Sequence, residues 1–256
     1  MLPTPSTSHV AFDRIYEPAE DSFLLLDTLS SPPEKAFLHE RFNPPNTTDG
    51  NSSPSPLVVE IGTGSGVVLS FVHAHAEIIF GREDILTAGV DVNRYACEAT
   101  SQTIIIAEQE QKREGKSHGL YLGNIVGDLT SPLREGMVDV LIFNPPYVPT
   151  PDLPALPQGE VKEGLPSFED DSKFLELSYA GGADGMETTS RLLDALPAIL
   201  SERGCAYLLL CAQNRPELVK DKMRGLGGQW KAETVGSSGK KGGWEKLQII
   251  RIWREP

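Results

Sequence analysis

Leu57-Val58-Val59-Glu60-Ile61-Gly62-Thr63-Gly64-Ser65-Gly66 is the stretch on which the fold turns. Five residues, apolar but for one carboxylate, read as a short buried strand. The glycine-rich turn leads into Val67 to Ala76, which reads as a helix. Strand, glycine turn and helix in succession form a dinucleotide or nucleoside pocket at the carboxyl end of a parallel sheet. Glycine suits the turn because positive φ is free for it, and its missing Cβ lets a ligand lie against the backbone. The same residues could be no more than a tight turn, so spacing has to decide. The glycines fall as G-x-G-x-G, unlike the G-x-G-x-x-G that seats a pyrophosphate on a helix N-terminus. Glu60 stands two positions before the first of them. A carboxylate there would repel a pyrophosphate but could hold an ammonium group, directly or through water.

Working outward, Leu86 to Val92 reads as a second strand and Arg94 to Gln111 as a helix carrying Ala96, Ala99, Ile104 and Ile105. Gly119 to Ile125 and Val138 to Phe143 follow as strands, Thr188 to Leu200 as a helix and Cys205 to Ala212 as a strand. Pro216 to Leu226 is helical, and Trp230 to Val235 with Lys246 to Trp253 makes a closing hairpin. Upstream, Tyr16 to Leu29 suits a helix, with acidic residues near its start where the dipole favours them. This alternation predicts an α/β fold: a mostly parallel, doubly wound, seven-stranded sheet with an antiparallel C-terminal hairpin. Residues 15–256 are expected to form one domain and residues 1–14 a flexible N-terminus. The polar insert 43–56 reads as a loop or disordered segment, and 150–172, rich in Pro and acidic residues, as a long functional or disordered loop.

Composition narrows the partners. A chain of 256 residues that is 39% hydrophobic can bury one good core. Its net charge of -13, with no basic run longer than a pair such as Lys240-Lys241, argues against gripping a nucleic-acid backbone and is compatible with a basic protein partner. Three cysteines, Cys97, Cys205 and Cys211, with no C-x-x-C pair, read as reduced thiols in a cytoplasmic or nuclear protein. With five scattered histidines they suggest no metal site. No signal peptide and no membrane span is expected, which leaves the sequons at Asn46 and Asn51 idle.

Two more acids follow strands. Asp91, closing the second strand, can accept both hydroxyls of a ribose, and Asp128, after the third, can accept from an adenine amino group while Leu129 packs on the ring. Glu60, Asp91 and Asp128 at three successive strand ends point to S-adenosylmethionine, with S-adenosylhomocysteine as product. Asn144-Pro145-Pro146-Tyr147 leaves the fourth strand directly. An amide nitrogen is a poor nucleophile, and it must be aimed. The side-chain oxygen of Asn144 and the carbonyl of Pro145 can accept its two N–H groups. The prolines remove competing donors and hold the loop extended, and Tyr147 offers a face for a planar amide or base. Asn144, Pro145, Pro146 and Tyr147 are therefore the expected substrate-binding residues, with Asn144, Pro145 and Tyr147 catalytic.

With these motifs in place the chain resembles the class I methyltransferases that carry N-P-P-Y. More narrowly it is similar to the eukaryotic and archaeal HemK-type release-factor glutamine methyltransferases. The motifs are Tyr16-Glu17-Pro18-Ala19-Glu20-Asp21-Ser22, Glu60 to Gly66, Asn144 to Tyr147 and Ala180-Gly181-Gly182-Ala183-Asp184-Gly185, and the likeness covers most of residues 9–253. It implies a Rossmann-like fold with Ser22, Glu60, Gly62, Asp91, Asp128 and Leu129 near the cofactor, Gly64 and Gly66 completing the turn, and Asn144 touching both cofactor and substrate. From the residues, the first motif makes sense as a lid, with Pro18 at a first helical turn and Ser22 offering a hydroxyl. The resemblance implies as substrate the glutamine of a Gly-Gly-Gln loop in the class I translation termination factor, and some relatives are also credited with methylating protein lysine. It implies a heterodimer with a small zinc-binding activator, for which the thinly amphipathic third strand (Leu120, Leu122, Ile125) would be a fitting edge. The departures are the insert 43–56, a longer segment from His73 to Ala88 and the acidic loop 152–172, while Gly227-Gly228-Gln229 reads as a turn.

Two other readings compete. An adenine N6-methyltransferase would use the same loop on a flipped base, but the charge and the lack of a recognition domain weigh against it. A non-catalytic cofactor-binding scaffold would predict a broken motif, whereas Asn144 and Tyr147 are intact.

Overall fold

A computed structural model describes residues 2–43, 53–155, 168–239 and 246–255. Its seven strands are β1 (Leu57–Ile61), β2 (Leu86–Asp91), β3 (Leu120–Val126), β4 (Val138–Phe143), β5 (Leu200–Cys211), β6 (Trp230–Ser237) and β7 (Leu247–Arg254). They form one sheet in the order β3-β2-β1-β4-β5-β7-β6. Strands β1 to β5 run parallel, and β7 is antiparallel to both β5 and β6. The expected sheet, hairpin included, is the one observed.

The helices are α1 (Glu20–Leu29), α2 (Pro32–Phe42), α3 (Val67–Ala74), α4 (Ala76–Phe80), α5 (Arg94–Arg113), α6 (Phe168–Tyr179), α7 (Glu187–Ile199) and α8 (Pro216–Arg224). Successive strand residues point to opposite faces, so both faces of the sheet are covered. Val58, Val140, Tyr207 and Ile249 pack with Leu25 of α1, Leu38 of α2, Phe71 of α3 and Ile79 of α4. Val59, Leu141, Leu208 and Ile250 pack with Leu192 and Leu196 of α7 and Met223 of α8 on the other side. Two apolar layers around a central sheet explain why its strands read as near-continuous hydrophobic runs.

The structure differs from expectation in several places. Helix α1 begins at Glu20, with Ala19 extended as its N-cap, so Pro18 precedes the helix. The residue before a proline is pushed out of helical geometry, which keeps Glu17 from starting the helix early. Helix α2 was not expected. It opens with Ser31 at the N-cap and two prolines inside the first turn, a start that costs no hydrogen bond. Helix α6 occupies the end of the supposed loop 150–172. Near the N-terminus, Val10 and Ile15 pack on Ala99 of α5, and Nε2 of His75 lies 2.8 Å from the carbonyl of Pro3. Residues 44–52 of the polar insert and 156–167 of the loop lie outside the described residues.

One buried ionic group ties α2 to the sheet. Arg251 of β7 donates from Nη1 to both carboxylate oxygens of Glu34 at 2.8 and 2.7 Å, and the Tyr207 hydroxyl donates to Glu34 at 2.8 Å. The guanidinium lies 3.7 Å from the ring centre of Phe37 and 4.5 Å from that of Trp253. Removing one partner strands the other charge in the core. Arg251→Ala is expected to lower stability by about 3–5 kcal/mol, read from the urea midpoint. A paired Glu34→Met/Arg251→Met variant should lose distinctly less.

Candidate active site

The loops leaving β1, β2, β3 and β4 converge at the carboxyl edge of the sheet, beside the switch point where the order reverses after β1. They surround a cavity of about 400 Å³. The N-terminal segment from Arg14 to Tyr16, the start of α1 and one face of α6 (Phe174, Leu177, Ser178) complete its walls. An Arg14–Asp171 ion pair at 3.3 Å and a hydrogen bond from Nδ2 of Asn93 to the Arg14 carbonyl at 2.9 Å hold these outer pieces together.

The glycine turn earns its residues by close approach as much as by φ. Gly66 has φ +78°, and a Cβ there would lie 2.6 Å from Cα of Thr100, so α3 and α5 could not pack as they do. Gly66 thus stands behind the cavity, whereas Gly62 and Gly64 line it. Glu60 is buried, and Oε2 accepts from the backbone N–H of Leu69 at 2.9 Å, filling an orphan donor in the first turn of α3. Asp91 accepts from the N–H of Gly64 at 3.0 Å and of Asn93 at 2.8 Å. The Thr63 backbone and hydroxyl also reach this carboxylate, which lines the cavity beside Gly64. Burial pushes the pKa of Glu60 well up, opposed by the Leu69 N–H, and the nearby Asp91 adds to the rise. Burial also raises Asp91, against its backbone donors. Two such acids side by side favour a cationic ligand.

Asp128 and Leu129 line the same cavity from the β3 loop. Asp128 also pairs with Arg191 of α7, so part of its accepting capacity is taken. Leu129 is buried with φ +49°, an uncommon conformation for a side chain of its size.

The Asn144 amide is fixed at one end and open at the other. Nδ2 donates to Oδ2 of Asp21 at 3.0 Å. Asp21 is itself seated at the start of α1, where Oδ1 accepts from the N–H of Ser22 at 2.6 Å. Oδ1 of Asn144 is buried and has no partner among the described residues, an arrangement that favours an incoming N–H donor. Pro145, Pro146 and Tyr147 line the cavity beside it. Behind them, Asn214 donates from Nδ2 to the carbonyls of Tyr147 and Asp184, both at 3.1 Å. The Ala180 to Gly185 turn packs its backbone against this loop: a Cβ on Gly185 would meet the Tyr147 carbonyl at 2.1 Å, and one on Gly181 the Pro146 carbonyl at 2.4 Å.

The structure therefore gathers Ser22, Glu60, Gly62, Gly64, Asp91, Asp128, Leu129 and Asn144 to Tyr147 around one cavity, and sets Gly66 behind it. Sequence reasoning gave no role to Asp21, although it stood inside a quoted motif, nor to Asn214, Arg191 or the α6 face. Their partners lie far along the chain, and no local spacing announces them.

The sheet order, with acids closing β1 and β2 and N-P-P-Y leaving β4, defines a Rossmann-like class I methyltransferase. No family model matches the chain. The eRF1 methyltransferase catalytic subunit mtq2 of Schizosaccharomyces pombe is 34% identical over 99% of this chain and 96% of its own. Methyltransferase HEMK2 of Mus musculus is 31% identical over 98% of this chain and 96% of its own. A putative protein N5-glutamine methyltransferase of Methanocaldococcus jannaschii is 28% identical over 94% and 92%. The chain belongs to the HemK-type release-factor glutamine methyltransferases.

The raised Glu60 pKa carries a pH signature. A cation in the cavity favours ionised Glu60, so binding releases its proton and affinity rises with pH until the raised pKa is passed. Calorimetric titration of the sulfonium cofactor from pH 5 to 8 should show tightening as pH rises. Glu60→Gln, neutral throughout, should bind more weakly and with a flatter pH profile.

Proposed function

We propose that the chain transfers the methyl group of S-adenosylmethionine to the side-chain amide nitrogen of the glutamine in the Gly-Gly-Gln loop of the class I translation termination factor. The observation that carries this reading is the buried, unpartnered Oδ1 of Asn144, held by the Asp21 contact at Nδ2. Asp91 fits the ribose hydroxyls, Glu60 the methionine ammonium, and Asp128 with Leu129 the adenine. Bound there, the cofactor supplies an electrophilic methyl on a sulfonium. Asn144 accepts one N–H of the substrate amide and the Pro145 carbonyl the other, which aims the nitrogen lone pair at that methyl. Tyr147 provides a face for the planar amide. Methylation at that nitrogen would leave it acidic enough to release its proton to water. Positioning of this kind supplies up to about 7–11 kcal/mol in favourable cases, and the step needs no strong base.

The names of the S. pombe and M. jannaschii relatives support the substrate class. With a translation factor as substrate, the reading is of a cytoplasmic activity, with the nucleus as the second compartment; separately, no described helix is long and apolar enough to cross a membrane. The reading extends to a small zinc-binding activator seated on β3, an edge strand whose Leu120, Leu122, Ile125 and Val126 are all exposed.

The first test is transfer of labelled methyl to purified termination factor, native against a variant with the loop glutamine changed to alanine, with duplex DNA in parallel. Label on the native factor alone is expected. Label on DNA, or on neither factor, would overturn the proposal. Asn144→Ala should cut turnover by roughly 10²–10³-fold with cofactor affinity little changed. Asp21→Ala should lower turnover through a misoriented Asn144, while Asp21→Asn, still an acceptor, should retain more. For the partner surface, Leu122→Asp should leave the chain folded by circular dichroism yet abolish co-purification with the activator.

A further inference from the structure

Away from the cavity, on the side of α5 that faces β3, three side chains meet that the transfer reaction does not use. His73 of α3 is fully buried, and Nε2 lies 3.2 Å from Oε1 of Glu108 on α5. Nδ1 of His118, just before β3, lies 4.0 Å from the same oxygen, and one ligand atom from each residue falls within 4.8 Å of the others. We propose that His73, Glu108 and His118 form a binding site for one divalent transition ion, zinc by donor set, which pins the start of β3 to α3 and α5.

The distances suit the ion. Metal–ligand bonds of about 2.0–2.2 Å in a tetrahedron space the ligand atoms by roughly 3.3–3.6 Å. The observed spacings bracket that value, so rotamer shifts of about an ångström close the set. The supporting shell is also present. The other nitrogen of His73, Nδ1, lies 3.0 Å from the buried Thr87 hydroxyl, fixing the ring. The Nδ1 of His118 lies 2.8 Å from the Gly119 carbonyl, a contact that it would exchange for the ion on the Glu108 side. Burial holds the pKa of His73 down to about 4, so its imidazole is neutral at physiological pH.

Access and competition are compatible with binding. The His118 and Glu108 side chains are 21% and 24% exposed, which leaves an open side for a water ligand. The rival cation is Lys112, 3.2 Å from Oε2 of Glu108 and 62% exposed, a weak helix-surface pair that an ion would displace. The thiols of Cys97 and Cys205 do not compete, since burial pushes both pKa values up to about 12. The location gives the ion something to hold. Gly119 donates to the His73 carbonyl at 2.9 Å, and a Cβ on it would lie 2.9 Å from Cγ1 of Ile85, so this is where the chain is threaded tightly into β3. The histidines that looked scattered in sequence are brought together by that threading.

The test uses the full chain stripped of metal by chelator, titrated with zinc and separately with cobalt. One equivalent should bind, the cobalt form should show visible d–d absorption without a thiolate charge-transfer band, and zinc should raise the melting temperature. His118→Ala and Glu108→Gln, both partly exposed and outside the methyl-transfer site, should weaken binding by roughly 100-fold or more and lose the thermal shift, with turnover unchanged. In a complex that carries another zinc, native and His118→Ala forms should differ by one equivalent. No stoichiometric binding, or binding unchanged in both variants, would overturn the site and leave an adventitious ion only.

Discussion

An amide side chain has two ends of nearly equal size, and only hydrogen bonding tells them apart. Asp21 can accept and cannot donate when ionised, so the contact at 3.0 Å places the NH₂ of Asn144 toward α1 and its oxygen toward the cavity. Everything the site does with an amide substrate depends on that choice. The rest of the structure can be followed outward from it. Asp21 is steady because it sits in the first turn of α1, where the helix dipole favours its charge and the Ser22 N–H meets it. Helix α1 is steady because Leu25, Leu26 and Leu29 are buried against the sheet. On the far side, the Asn144 backbone is continuous with β4 at the middle of the sheet, and Asn214 with the Ala180 to Gly185 turn braces the carbonyls that follow.

The cofactor side of the cavity uses the opposite principle. Asn144 is poised by a contact already made, whereas Glu60 and Asp91 are costly in the absence of a ligand. Both carboxylates are buried, and each is kept in place by backbone N–H groups that also define the glycine turn and the entry to α3. A cationic, diol-bearing ligand offsets the desolvation that these acids otherwise bear. The same groups that orient the ligand therefore also select its charge, which fits a sulfonium cofactor better than a pyrophosphate.

Legibility in the sequence followed the range of the forces involved. The parallel strands were readable because each is buried on both faces and so is written as an unbroken apolar run, Val138 to Phe143 most plainly. The gathering of the glycine turn, Asp91 and N-P-P-Y around one cavity was readable because each sits within a residue or two of a strand end. Helix α2 was legible and overlooked, since Ser31 followed by two prolines and Glu34 is a helix start. Helix α6 was hidden by its acidic N-terminal half, which reads as solvated loop until the Phe174, Leu177 and Ser178 face is seen against the cavity. The packing of Val10 and Ile15 gave no signal, since they are isolated apolar residues whose groove exists only after α5 is in place. The Asp21–Asn144 pair spans 123 positions and the buried Glu34–Arg251 pair 217, distances at which no spacing rule applies.

The strands do not share the work equally. β1, β2 and β4 are flanked on both sides, and the residues at their ends, Glu60, Asp91 and Asn144, are held by at least one backbone or carboxylate contact. β3 has one neighbour, four exposed apolar residues and a register shift against β2, and it delivers the pair Asp128 and Leu129. In that pair the acid is drawn toward Arg191 and the leucine sits at positive φ. Whatever firms up β3 therefore acts on the strand that leads into the Asp128–Leu129 loop, on the cavity wall away from β4. A partner laid along the exposed edge and an ion at the strand's start would act on the same element from outside and from within. Both would be expressed in thermal stability.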